Sequence, residues 1–73
     1  MIENLTSQAI DSELVQMGRL IRARRKSFKI TAVATSQSAG ISRVTLHRIE
    51  KGESSVCMGS YLSVLSVLDM TFG

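Results

Sequence analysis

Two glycines, Gly40 and Gly52, restrict the middle of the chain to short helices. Glycine adopts the left-handed backbone conformation at little cost, so it favours the end of a helix at each position. Thr31 and Ser42 stand before the two segments, and a hydroxyl there can accept a hydrogen bond from a backbone N–H group of the first turn. The sequence therefore predicts two short, capped helices joined by a tight turn at Gly40.

Amphipathic segments lie on both sides of this pair. Ile10, Leu14, Met17 and Ile21 recur at spacings of four and three, which is the period of one helical face. The apolar residues near the carboxyl end repeat in the same way and predict a fourth helix. Its predicted inner face consists of Met58, Tyr61, Leu62, Leu65 and Leu68. The predicted helices cover about 12–26, 32–38, 43–51 and 58–68.

These segments make one small, all-helical domain. The chain has 73 residues, no proline and an apolar fraction of 44%, which excludes both a two-lobed enzyme and a disordered chain. Residues 1–11 are predicted to form an amino-terminal arm, and residues 12–73 the domain. No apolar run reaches the length of about 18 residues that a spanning helix needs, and no signal peptide is recognised. We therefore expect a cytoplasmic protein.

Charge is distributed unevenly along the chain. Residues 19–48 carry eight lysines and arginines and no acid, whereas residues 1–18 carry three acids and no base. A basic block of this kind favours an anionic partner, nucleic acid first and an anionic membrane second. The alternative is that it forms an ordinary solvated surface.

In the third predicted helix, the basic residues lie on one side. Leu46 and Ile49 fall on one side of the helix, and the opposite side carries no acid. The residues on that opposite side are Arg43, Val44, His47, Arg48 and Lys51. An exposed helix with such a face fits the major groove of B-DNA, and the planar fork of arginine matches the O6 and N7 acceptors of guanine.

The two short helices describe a helix-turn-helix over about 32–51. The segment Met17–Met70 resembles the Cro and phage-repressor helix-turn-helix family, also called the Xre family. The resemblance is carried by Gly18, Ile21-Arg22, Arg25, Ile30-Thr31, Ala39-Gly40-Ile41-Ser42, Leu46, Ile49-Glu50-Lys51-Gly52, Leu62, Leu65 and Leu68. It implies an all-α, compact four- to five-helix bundle of the lambda-repressor-like DNA-binding type. Residues 49–68 resemble a narrower branch that includes small HipB-like antitoxins, which repress an operon and bind a kinase-like toxin.

The resemblance also implies roles for individual residues. Base edges would be contacted by Arg43, Val44, Thr45, His47 and Arg48. Phosphates would be contacted by Thr31, Ala32, Ser42, Lys51 and Gly52. Arg25 and Glu50 would form a structural ion pair between the first and third helices. The chain departs from the family at Thr35-Ser36, where the family has Leu-Ala, and at Cys57, which replaces a hydroxyl cap and is expected to be half-buried.

These observations predict a sequence-specific, double-stranded DNA-binding transcriptional regulator that reads the major groove with helix 43–51, with repression as its expected mode. The alternative is an antitoxin-type protein-interaction module that binds a kinase-like toxin, with DNA binding serving operon autoregulation. A third class, a basic segment on an anionic membrane, is disfavoured because the core needs the apolar face of the first helix. One histidine, one cysteine and scattered acids supply neither a catalytic set nor a metal site, so no enzyme activity, cofactor or small-molecule-sensing domain is expected.

The chain is also expected to assemble with a second copy of itself. One helix-turn-helix reads few base pairs, so a homodimer on adjacent half-sites is expected. With the fourth helix oriented as above, Val64 and Val67 point away from the core and mark an exposed apolar patch. The predicted interface consists of Val56, Val64, Val67, Met70 and Phe72. The alternative is that the carboxyl-terminal tail folds back over the valines within one monomer.

Overall fold

A computed structural model describes the backbone of residues 2–70 and the side chains of residues 11–70. Four helices form a compact bundle, and no strand occurs in the described part of the chain. The helices are α1 Ile2–Ser27, α2 Ala32–Ala39, α3 Arg43–Lys51 and α4 Met58–Val67. The all-α prediction is confirmed, and the bounds of α2, α3 and α4 agree with the predicted ranges to within one residue.

Helix α1 is much longer than expected. The predicted start at about residue 12 is wrong, because the helical backbone begins at Ile2 and continues through the segment assigned to an arm. No glycine or proline stands between residues 2 and 17 to interrupt the hydrogen-bonded ladder. A serine, threonine, aspartate or asparagine inside a helix costs too little free energy to end the helix where no glycine or proline interrupts it.

Two glycines bring α1 directly against the carboxyl end of α3. A Cβ atom on Gly18 would lie 2.5 Å from the carbonyl oxygen of Glu50, and one on Gly52 would lie 2.5 Å from the carbonyl oxygen of Leu14. Gly52 also has φ of 76°, a left-handed conformation that side chains rarely adopt. Any side chain at either position would push the two helices apart, so the position of α3 on α1 is fixed by backbone contact.

The core lies where the four helices meet. Its fully buried apolar residues are Ile21, Leu46, Ile49, Tyr61, Val64, Leu65 and Leu68. Thr35 and Ser36 of α2 are buried with them. Their hydroxyls donate to the carbonyl oxygens of Thr31 and Val33, both at 3.0 Å, so neither polar group is buried without a partner.

The predicted orientation of α4 is wrong. Val64, expected on the outer face, is fully buried, whereas Met58 and Leu62, expected in the core, are 61% and 45% exposed. Both sets of residues satisfy the helical spacing, because α4 is apolar on nearly every side and carries only serines as polar residues. Hydrophobic period alone therefore cannot choose between the two faces.

This orientation removes the basis of the predicted dimer interface. Val64 cannot contact another molecule, and Val56, Val67 and Met70 are half-buried, with Val56 and Met70 packed against the monomer's own core. Phe72 lies outside the described residues. The apolar patch deduced from the sequence is thus used, for the most part, inside a single chain.

Candidate functional site

The two short helices carry the caps that the sequence predicts. Thr31 Oγ1 accepts a hydrogen bond from the N–H of Ala34, and Ser42 Oγ accepts one from the N–H of Thr45, both at 3.1 Å. Gly40 follows α2 with φ of 71°, in the left-handed conformation. Each hydroxyl takes one of the amino-terminal N–H groups of its helix, and the first-turn N–H groups that remain have no partner within the helix.

Helix α3 presents one face to solvent. Leu46 and Ile49 are buried against the other helices, as predicted. The opposite side chains, which we call the α3 face, are all exposed: Arg43, Val44, His47, Arg48 and Lys51. Three cations, one histidine and one apolar side chain therefore share an open helical surface that contains no acid.

Thr45 does not belong to this face. It is half-buried, and its Oγ1 accepts a hydrogen bond of 2.9 Å from Ser42 Oγ, while its N–H donates back to the same serine. Thr45 and Ser42 thus complete one cap between them. Thr45 is thus less accessible than the four other residues predicted to contact bases, which are all exposed.

The single acid of α3 is withdrawn from the α3 face. Arg25 Nε donates to Glu50 Oε2 at 2.8 Å, and Arg25 Nη2 donates to Glu50 Oε1 at 3.1 Å. The predicted ion pair is therefore present and bidentate, and its two side chains are only 13% and 10% exposed. Hydrogen bonding to the carboxylate raises the pKa of Arg25 above its ordinary value. The pair ties α1 to α3 and neutralises the only acid of α3.

A groove of about 660 Å³ runs between α1, α2 and the α3 face. Among its lining residues are Arg22, Arg25, Ala32, Arg43, His47 and Lys51. Glu50 is the only acid in the lining, and Arg25 already occupies both of its oxygens. The groove therefore keeps a surplus of positive charge, which favours an anion.

Arg22 is the groove residue that sequence reasoning missed. Its side chain is 59% exposed, and its Nε lies 4.0 Å from Glu50 Oε1, at the limit of an ion pair. The signal was present in the sequence, because Arg22 stands three residues before Arg25 and so lies on the same side of α1. Its relation to Lys51 and Arg43 depends on how α1 packs on α3.

Not all of the residues predicted to contact phosphates are accessible in the structure. Thr31 and Ser42 are exposed at the starts of their helices, Ala32 lines the groove, and Lys51 lies at its edge. Gly52 is buried beneath α1, and its N–H donates to the carbonyl oxygen of Ile49 at 2.9 Å. The assignment of a phosphate contact to Gly52 is therefore wrong, because neither its surface nor its N–H group is free.

Cys57 does not line the groove. It is exposed, not half-buried as expected, and it precedes α4 without a side-chain capping bond. Its Sγ lies 3.3 Å from Ser60 Oγ, and this hydrogen bond lowers the pKa of the thiol below its ordinary value. In the described residues no cluster of His, Cys, Asp and Glu side chains could hold a metal ion. No helix there combines the length and apolar character needed to cross a membrane.

Comparison with known proteins adds no assignment. The chain matches no family model and no curated protein. The features of the described residues that bear on function are the α3 face and the groove beside it.

Proposed function

We propose that the protein is a sequence-specific, double-stranded DNA-binding transcriptional regulator, in which α2 and α3 form a helix-turn-helix and α3 enters the major groove. The observation that carries the proposal is the α3 face. Its three cations point into solvent, and the only acid of the helix is turned inward and held by Arg25. An exposed cationic helix of this kind is the electrostatic footprint of a nucleic-acid reader.

The dimensions support duplex DNA. Helix α3 has nine residues, which corresponds to about 13 Å of length, and a helix fits into a major groove about 12 Å wide. Arg43 and Arg48 can each present two parallel N–H donors to guanine O6 and N7. Lys51 and Arg22 border the groove beside α3, where they can neutralise the phosphates that flank the bases.

An anionic membrane fits less well. Binding in the interface needs a continuous apolar face that can be buried below the headgroups. Leu14, Met17 and Ile21 of α1 are packed in or against the core, and among the large apolar side chains of α1 that the structure describes only Leu20 is largely exposed. On the α3 face only Val44 is apolar. This face therefore carries charge but lacks the continuous apolar surface that binding to a membrane needs.

The resemblance to the Cro and phage-repressor family extends the proposal from DNA binding to transcriptional regulation, with repression as the mode. In this arrangement two copies would read adjacent half-sites about 34 Å apart. Val64, one of the residues expected between the copies, is buried and cannot take part in that surface.

Two double variants with the same change of charge test the proposal. Arg43→Ala/Arg48→Ala removes two cations from the α3 face, and Arg19→Ala/Lys26→Ala removes two exposed cations from α1 that do not line the groove. A duplex is first selected with the wild type from a random pool, and binding is measured by fluorescence anisotropy against that duplex and a scrambled one. We expect the α3 variant to lose the preference for the selected duplex, and the α1 variant to keep it. Equal losses, or no selected duplex at all, would refute the proposal.

A further inference from the structure

Val44 is the one apolar member of the α3 face. Among the large apolar side chains that the structure describes, Val44 has the highest exposed fraction, 62%. It lines the cationic groove together with Arg43, His47 and Lys51. Because it is this exposed, Val44 contributes little to the stability of the bundle and is free to contact a partner.

We infer that Val44 selects thymine in the DNA site by contact with its 5-methyl group. This inference rests on the proposed function. The edges that bases present in the major groove are hydrogen-bond donors and acceptors, with one apolar exception, the methyl group of thymine. A branched aliphatic side chain on the reading face can gain contact area only there.

The same contact disfavours other bases. Cytosine and adenine present amino groups in the major groove, and guanine presents two acceptors. Pressing Val44 against any of these would remove water from a polar group without replacing its hydrogen bond, which costs free energy. Val44 therefore acts in both directions, by attraction to thymine and by rejection of polar edges.

The position of Val44 on α3 places the thymine relative to a guanine. Arg48 follows Val44 by four residues, one turn of the helix, which is about 6 Å along the axis. Successive bases of one strand are about 3.4 Å apart. A thymine read by Val44 and a guanine read by Arg48 are thus expected within about two base pairs of each other.

The test removes a single methyl group from the DNA. In a duplex selected with the wild-type protein, each thymine is replaced in turn by deoxyuridine, which pairs identically and lacks only the 5-methyl group. We expect one thymine in each half-site to be sensitive, with binding about fourfold weaker, the factor that corresponds to about 0.8 kcal/mol for one buried methyl. In Val44→Ala, which removes the two γ-methyl groups and keeps only Cβ, the same replacement should have a clearly smaller effect, so that the two changes are non-additive.

Matched variants separate this contact from general damage. Met58→Ala removes an apolar side chain of nearly equal exposure, 61%, that belongs to α4 and does not line the groove, and it should keep the full deoxyuridine effect. Val44→Ile should keep it as well. If no thymine is sensitive, or if the sensitivity is undiminished in Val44→Ala, the inference is refuted while DNA binding stands. If the wild type selects no duplex, the proposed function fails, and the inference fails with it.

Discussion

Helices α3 and α4 have nearly the same length, nine and ten residues, but the sequence determines their orientation to different degrees. In α3 the charged side chains must reach water, so Leu46 and Ile49 are left as the buried pair, as predicted. Helix α4 has only serines as polar residues, and a serine hydroxyl can bond to its own helix. The prediction for α4 was rotated by roughly 50° on a helical wheel of about 100° per residue. Charge therefore determines the orientation of α3, whereas α4 carries no charged residue that could determine its own.

The largest expected effect concerns the backbone contact that holds α3. Gly52→Ala introduces a Cβ atom 2.5 Å from the backbone of α1 at a φ of 76°, and we expect it to destabilise the protein by about 3 kcal/mol or to prevent folding. Gly40→Ala is the matched control, because Gly40 has φ of 71° and no atom within 4 Å of the added Cβ. Its cost should be about 1–2 kcal/mol. Equal losses in urea unfolding would show that the contact between α1 and α3 is unimportant.

The second prediction concerns the Arg25–Glu50 pair. Because both side chains are largely buried, Glu50→Gln or Arg25→Met alone should cost about 2–4 kcal/mol by leaving one charge without its partner. The double variant should cost less than the sum of the two, with a coupling of about 1–3 kcal/mol in a double-mutant cycle. Additive losses would mean that the two side chains do not depend on each other.

The third prediction examines the orientation of α4. Val64→Ala should lower the free energy of unfolding by about 2 kcal/mol, since Val64 is fully buried, whereas Leu62→Ala should cost less than about 1 kcal/mol at 45% exposure. For a domain of this size, 1 kcal/mol corresponds to about 4–8 °C in Tm. A larger loss in Leu62→Ala would restore the orientation predicted from the sequence.

The fourth prediction compares the starts of α3 and α4. Ser42 accepts a hydrogen bond from its helix, and Cys57 makes no capping bond. Ser42→Ala should therefore destabilise the protein by about 1 kcal/mol, and Cys57→Ser should stabilise it by up to about 1 kcal/mol. Thermal unfolding followed by circular dichroism measures both. A shift of the same sign in the two variants would contradict the difference between the caps.

The smallest effect is the reactivity of Cys57. The hydrogen bond from Ser60 lowers the pKa of the thiol, so alkylation by iodoacetamide should reach half of its maximal rate at a lower pH than for a model thiol. Ser60→Ala should move this midpoint upward. Ser54→Ala changes a nearby exposed serine outside the helix and serves as the control. An unchanged midpoint in Ser60→Ala would show that the hydroxyl does not stabilise the thiolate.

Local signals in the sequence were reliable, and signals that depend on packing were not. Thr31, Gly40 and Ser42 act through their own neighbours, and the structure contains the caps and the turn expected of them. Only one of the two roles of Gly52 could be predicted. The sequence predicts that a helix ends at Gly52, but the burial of Gly52 under α1 depends on how the helices pack. Arg22 was missed for the same reason, since it joins the groove only when α1 lies beside α3.

Tyr61 gives the molecule an internal optical reporter. The chain has one tyrosine and no tryptophan, so near-ultraviolet absorbance and emission come from a single side chain above the weak phenylalanine background. That side chain is buried among the helices, and its hydroxyl donates a hydrogen bond of 2.6 Å to the carbonyl oxygen of Glu53, just after α3. Breaking this bond exposes the phenol to water. Tyrosine emission therefore follows, without any label, whether the segment that leaves α3 is seated on α4.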